Sequence, residues 1–246
     1  MARVVRVDSR RRSVAAAIVF LFVMAPALSA SSTGQTKSTT VWSGTVSLPE
    51  GYLVESNQVL HIQAGTTVLI GDGERLGVDG RISIKGTTAS PVNITSISGN
   101  HLGILFNSSS DKKGSELDNV TITDSEYGVT IYASNPRMSN ITVVNADRVA
   151  IDLFSGAYPV ISDLVIEGGG QDLHGASDFW RYGIGISAGD FSTPIVQRAQ
   201  ISNLITRGVN MWFNSGGLWN QVSVENVTGA TLAASSAFWI EDSVPL

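Results

Sequence analysis

The chain has no cysteine, 3 histidines and only 7 prolines among its 246 residues. Without cysteine there is no disulfide scaffold, no zinc ribbon and no thiol nucleophile. The histidines are His61, His101 and His174, none within four residues of another, so a histidine-based metal site has no support. His61 and His101 read as surface residues. Charged residues are few, 15% against 43% hydrophobic, and that balance excludes a disordered chain. Positive charge is scarcest where the domain lies. Five of the 16 basic residues, Arg3, Arg6, Arg10, Arg11 and Arg12, fall in the first thirty positions, where Asp8 is the sole acid among 21, so residues 31 to 246 carry a net charge of −9. A nucleic-acid partner would need a positive face, and none is expected.

The length suits one domain with a substantial core. Ahead of it, residues 1 to 12 are basic, 14 to 24 (VAAAIVFLFVM) are uninterruptedly apolar and 25 to 30 (APALSA) are small. That order describes a signal peptide over 1 to 30. The competing reading is an uncut anchor, because Val14 to Ala30 reaches the lower length limit for a bilayer span. A twin-arginine signal at 9 to 12 fits the following residues poorly. Under either main reading the domain is secreted or displayed at the cell surface, and any membrane contact runs through the N-terminal segment alone. Residues 31 to 40 (SSTGQTKSTT) read as a polar linker without fixed structure.

From residue 41 onward no helical period stands out: short alternating runs rich in β-branched residues are punctuated by Gly, Asn, Asp and Ser. Five segments superpose, Val120-Thr121-Ile122, Ile141-Thr142-Val143, Leu164-Val165-Ile166, Ala199-Gln200-Ile201 and Val222-Ser223-Val224, with the first and third residues of each facing inward. Two residues after each come Asp124, Asn145, Gly168, Asn203 and Asn226, types that tolerate a left-handed backbone, so the same bend recurs in each repeat and side-chain amides can stack along it. A second strand follows, read as Val129-Thr130-Ile131, Val149-Ala150-Ile151, Ile184-Gly185-Ile186, Val209-Asn210-Met211 and Ala230-Thr231-Leu232. Pro136, Pro159 and Pro194 mark the next turn, a place suited to a residue that cannot donate to a ladder.

These features, with Leu60 to Val68, Leu76 to Ile82 and Pro91 to Ser96 as opening coils, resemble the right-handed parallel β-helix of the pectate-lyase-like superfamily, particularly repeat proteins of microbial surfaces. The resemblance covers about 57 to 246. It implies an all-β solenoid of about nine coils within a domain spanning 41 to 246. Residues 41 to 56 are expected to cover its first edge. Phe238-Trp239-Ile240 opens what reads as a further strand, so the last coil is left open to another chain or to a missing segment.

One spacing breaks the repeat. Gly168 to Asn203 is 35 residues where the other intervals are 21 to 23, which places an insertion at 169 to 183, GGQDLHGASDFWRYG. It concentrates Asp172, His174, Asp178, Trp180, Arg181 and Tyr182, and insertions on one face of a solenoid often form its binding surface. The bland reading, a loop that folds its aromatics over the coil, is weighed above that one. On the second strand the outward column is read as Tyr132, Asp152, Ser187, Trp212 and Ala233. Outward Tyr132 and Trp212 would make an aromatic groove with apolar faces for sugar rings, against the alternative that Trp212 plugs the space beneath the loop.

For catalysis, enzymes of the resembled superfamily that hydrolyse pectin-like chains pair aspartates on neighbouring coils, with an Asn-Thr-Asp and a Gly-His-Gly segment. Neither occurs here; Leu173-His174-Gly175 half matches. The lyases use an acidic calcium cluster with an arginine base. Asp152, Asp172, Asp178 and Arg181 supply the residue types but no fixed spacing, so calcium has no support and no cofactor is expected. The expected function is non-catalytic binding of a glycan or a surface protein; the alternative is a polysaccharide lyase or glycoside hydrolase. Five Asn-X-Ser/Thr sites occur, of which Asn107, in the polar loop 107 to 115, is the best glycosylation candidate. Lys112 and Lys113 in that loop read as solvated charge.

Overall fold

The computed structural model describes residues 37–170, 182–228 and 235–245, all within one compact unit, Gln35–Leu246. Every strand pairing it contains is parallel, and each runs between successive turns of the chain. The strands fall into an 11-stranded and an 8-stranded sheet whose ladders run side by side along a stack of coils. The first coil comprises Ser38–Trp42, Thr45–Leu48 and Tyr52–Val54; the last comprises Leu218–Val227 and Ser236–Ile240. This is a parallel β-helix, and the described residues complete eight coils, not nine. At the usual strand separation the rod is about 34 Å long.

The core is a set of inward columns, one residue per coil. One runs Trp42, Ile62, Ile84, Leu117, Met138, Ile161, Val196 and Trp219, with an indole at each end. A second runs Val46, Val68, Ile94, Ile122, Val143, Ile166, Ile201 and Val224. On the smaller sheet Val54, Val78, Phe106, Ile131, Leu153, Ala188, Met211 and Ile240 form a third. Residues in the middle coils are sealed from solvent. Each such Val, Ile or Leu contributes about 1.5–3 kcal/mol through removal from water.

In each of the last five coils the chain bends through the left-handed region at three recurring positions: inside the long strand of the larger sheet, at the end of that strand, and after the strand of the smaller sheet. Asp124, Asn145, Gly168, Asn203 and Asn226 form the column expected from sequence, with φ of 56°, 53°, 72°, 60° and 52°. Two more columns escaped the sequence reading: Asn119, Asn140, Asp163, Arg198 and Gln221 (φ 52–56°), and Ala133, Ser155, Asp190, Phe213 and Asp242 (φ 47–56°). Side chains along these columns hold neighbouring coils together. Asn226 Nδ2 donates to Asn203 Oδ1 at 2.6 Å, and Arg198 Nε and Nη2 donate to the two Asp163 oxygens at 2.6 and 2.7 Å. Gly168 takes the same bend at no steric cost, and a Cβ there would displace the Asn145 side-chain oxygen.

Several expectations are corrected. Residues 38–40 belong to the first strand, in register with 58–60, so the linker is shorter than expected; 31–36 lie outside the described residues. Residues 41 to 56 do not cover the first edge; their strands form the first coil itself. His101 is fully buried, not a surface residue. Its Nδ1 accepts the Gly103 N–H at 2.9 Å, which places its proton on Nε2, facing the Thr123 carbonyl at 3.0 Å. Lys113 is not merely solvated: its Nζ donates to the carbonyls of Ser56 and Asp79, both at 2.8 Å. The Asn107 amide donates to Asp79 Oδ1 at 2.8 Å, so a glycan there would displace a structural contact.

The second-strand register was slipped. Val129-Thr130-Ile131 pairs with 151–153, 186–188, 209–211 and 238–240, not with 149–151 and 184–186. A slip of two keeps every side chain on its face, so the pattern gave no sign of the error. Ala230-Thr231-Leu232 and Ala233 lie outside the described residues, and Phe238-Trp239-Ile240 completes the eighth coil instead of opening a further one. The extra two positions hold a column of small residues, Gly128, Ala150, Gly185 and Gly208, whose backbone passes against the opposite sheet. A Cβ at Gly185 would lie 2.8 Å from Ile201 Cγ2 and 2.5 Å from the Gly208 carbonyl.

Gly185→Ala is therefore expected to destabilise the protein by about 1–3 kcal/mol, seen as a lower urea midpoint at unchanged slope, and Ile151→Asp, a charge in the sealed core, to prevent folding altogether. Burial holds the His101 pKa below its ordinary 6.5, so protons bind more readily to the unfolded chain. Stability from this group is full above that range and lost as pH falls through it. A denaturation series from pH 7.5 to 5 should show the loss, and His101→Gln should flatten it.

Candidate functional site

The outward face of the smaller sheet carries the richest chemistry. Register places Thr130, Asp152, Ser187, Asn210 and Trp239 in one column. The next outward column, two residues further on, contains Tyr132, Phe154, Gly189 and Trp212. Tyr132 and Trp212 thus share a column, as expected, whereas Asp152 and Ser187 belong to its neighbour. Because Gly189 has no side chain, the Trp212 indole lies directly over its Cα and fills two coils' worth of surface. Tyr132 and Phe154 meet edge to face at 5.2 Å. Tyr132 is 39% and Trp212 40% exposed, while residues 171–181 of the loop that would cover Trp212 lie outside the described residues.

Beside this row runs a groove of about 590 Å³, formed by Tyr127, Arg148, Val149, Asp152, Ile184, Ser187, Arg207, Asn210, Trp212 and Glu241. Its polar side chains are linked: the Trp212 Nε1–H points to Ser187 Oγ at 3.4 Å, and Ser187 in turn is hydrogen-bonded to Asp152. Burial pushes the Asp152 carboxyl up to about 6, and the Ser187 contact only partly offsets that. The two arginines rest on aromatic faces, Arg148 4.6 Å from the Tyr182 ring centroid and Arg207 4.5 Å from that of Trp239. Arg148 Nε also donates to Glu126 Oε2 at 2.8 Å.

A smaller depression adjoins the groove, lined by Asp152, Phe154, Asp190, Trp212 and Phe213. Phe213 packs edge to face on Phe191 at 5.6 Å, and both rings are more than half exposed on left-handed backbone, a conformation bulky residues rarely adopt.

Of the residues singled out from sequence, Tyr132, Asp152 and Trp212 share this face, and Tyr182 stands at its edge against Arg148. Asp172, His174, Asp178, Trp180 and Arg181 lie outside the described residues. Arg148, Arg207, Asn210, Phe154, Phe191 and Phe213 were missed. Phe154 and Asn210 could have been found by carrying the correct register through the second strands; Arg148 precedes its strand, Arg207 opens one, and neither gave a signal. Among the described residues no group of three or more His, Asp or Glu side chains is placed to hold a metal ion.

The family described as right handed beta helix region matches residues 53–243. The chain belongs to this family. The match agrees with the parallel coils described above and gives the solenoid its right hand. No curated protein and no solved structure matches the chain.

Asp152 supplies a test of the groove's polarity. Its folded pKa, about 6, exceeds the ordinary 3.8, so its contribution to stability is full below about pH 4 and lost as pH rises through 6. Asp152→Asn should therefore stabilise the protein by about 3 kcal/mol at pH 7.5, with the gain shrinking toward zero at pH 4 in paired urea titrations.

Proposed function

We propose that this is an exported, non-catalytic β-helix protein that binds a glycan chain along the lateral face of its smaller sheet. The observation that supports the reading is the aromatic row of exposed Tyr132, half-buried Phe154 and exposed Trp212, set along the rod beside a polar groove. Sugar rings offer an apolar face that packs on such rings, and the hydroxyls around it suit Asp152, Ser187 and Asn210 as hydrogen-bonding partners. Coil spacing of about 4.8 Å spreads the row over four coils, a length of about 14 Å, so the ligand is an extended chain and not a single sugar. Export is supported by the arginine-rich start, the apolar run from 14 to 24 and the small residues after it.

A second reading, cleavage of the bound chain, is favoured by one observation: Asp152 and Asp190 line the same depression beside Trp212, and the Asp152 carboxyl is raised toward the range of a general acid. Product analysis with wild type and Asp152→Asn separates the two. Chain shortening by wild type that is lost in the variant would replace the binding reading with a hydrolase or lyase.

The primary experiment is binding of the protein to a polysaccharide array beside Tyr132→Ala and Trp212→Ala. Each substitution should weaken binding about fivefold in protein that stays folded at the assay temperature, since each ring contributes about 1 kcal/mol to stacking. Absence of binding to every glycan would overturn the reading.

A further inference from the structure

We propose that the depression at the bend edge of the smaller sheet, lined by Asp152, Phe154, Asp190, Trp212 and Phe213, binds a protonated amine carried on the sugars of the glycan. The inference rests on the glycan reading for the source of the amine and deepens it, while the cation site stands on the depression itself. Its volume is about 460 Å³, its walls hold three aromatic rings and two carboxylates, and among the described residues no basic side chain lines it.

Register explains how these five residues meet. Asp152 and Phe154 face outward together from one strand. Leu153 pairs with Ala188 and Ala188 with Met211, so Gly189 and Asp190 follow on the next coil, and Trp212 and Phe213 on the one after. With no side chain at Gly189 to hold it off, the Trp212 indole leans across to the coil beside Phe154. Asp190 and Phe213 stand on the left-handed bend that follows the strand, at φ of 53° and 50°. In other coils that bend position is Ala133, Ser155 or Asp242; only at 213 is it a large ring, and that ring is more than half exposed. A bulky residue in this conformation costs about 1–2 kcal/mol. Phe213 both packs on Phe191 and walls the depression.

The charges decide the occupant. Asp190 Oδ2 accepts the Ser155 hydroxyl at 3.0 Å and Asp152 is hydrogen-bonded to Ser187, yet among the described residues neither carboxylate forms an ion pair. Arg148 and Arg207, in the neighbouring groove, donate to Glu126 and Asn210 instead. Two carboxylates in one partly desolvated depression favour a cation beside them, and the negative faces of the aromatic rings attract the same charge. A neutral hydroxyl would leave both carboxylates without a counter-charge, and an anion would be repelled. A primary ammonium has three donors for carboxylate oxygens, and its carbon skeleton packs on the rings. Phe154 and Trp212 also belong to the aromatic row, so a chain stacked on that row brings its substituents to the depression. The net charge of −9 over residues 31 to 246 adds a general attraction for a cationic chain.

The test compares oligosaccharides of one backbone and one length that differ only in carrying an amine, an acetamide or a hydroxyl at C2, by titration calorimetry with the amine kept protonated. The amine chain should bind wild type at least about tenfold tighter than the hydroxyl chain. Asp190→Asn should erase that preference. Phe213→Asn should erase it too, although it changes no charge and suits the left-handed bend, which separates the depression from general attraction to an acidic protein. Phe213→Tyr should keep it. In thermal unfolding, methylammonium chloride at about 0.1 M should raise the wild-type Tm by about 2–4 °C over the same concentration of sodium chloride, with no such rise in Asp190→Asn or Phe213→Asn.

Equal affinity for the amine and hydroxyl chains, or a preference that survives Phe213→Asn, would overturn the cation site and leave the aromatic row standing. A methylammonium effect that depends on Asp190 and Phe213, in a protein that binds nothing on the polysaccharide array, would support the cation site and overturn the glycan reading. No preference and no methylammonium effect would overturn the inference whatever the array shows.

Discussion

Everything in this molecule depends on stacking successive coils in parallel register at one strand spacing. Because each coil lies on the next with no offset, every position in the repeat becomes a column along the rod, and the requirement at that position is imposed eight times. Inward columns must be apolar and of fitting size, as in the run from Trp42 to Trp219. Bend columns must accept a left-handed backbone. Outward columns are free of both demands, and there chemistry can accumulate.

The left-handed bends show how strong the constraint is. Asn and Asp enter that region at small cost, but Arg198, Gln221 and Phe213 enter it too, each against its own preference by about 1–2 kcal/mol. Register with the coils on either side holds them there. Arg198 recovers some of the cost through its paired contact with Asp163, while Phe213 recovers it by packing on Phe191. The same logic explains the small-residue column: where backbone passes close to the opposite sheet, Gly128, Gly185 and Gly208 are the residues that fit.

The candidate site arises from relaxing these rules on one face. Gly189 lets Trp212 lie flat across two coils, Ser187 and Asn210 are buried polar residues where an ordinary outward column would be solvated, and Asp152 has its carboxyl raised by the burial that results. Arg207 remains only partly satisfied. Departures from local consistency gather on this face, and such departures are what functional sites are made of.

Much of the fold was legible in the chain itself, because an alternating pattern and a recurring left-handed residue type are local properties that survive without an alignment. The five superposed strands and the bend at Asp124, Asn145, Gly168, Asn203 and Asn226 could be read directly, and so could the outward placement of Tyr132, Asp152 and Trp212. Three-dimensional stacking alone decided which coil faces which. A shift of two residues leaves alternation intact, so only the close packing of Gly128, Ala150 and Gly185 against the far sheet sets the second-strand register. His101 and Lys113 were misread for the same kind of reason, since burial by a neighbouring coil leaves no mark in local sequence. The groove brings Arg148 and Arg207 together from positions 59 residues apart. Their juxtaposition is a consequence of coil geometry, which no short-range pattern encodes.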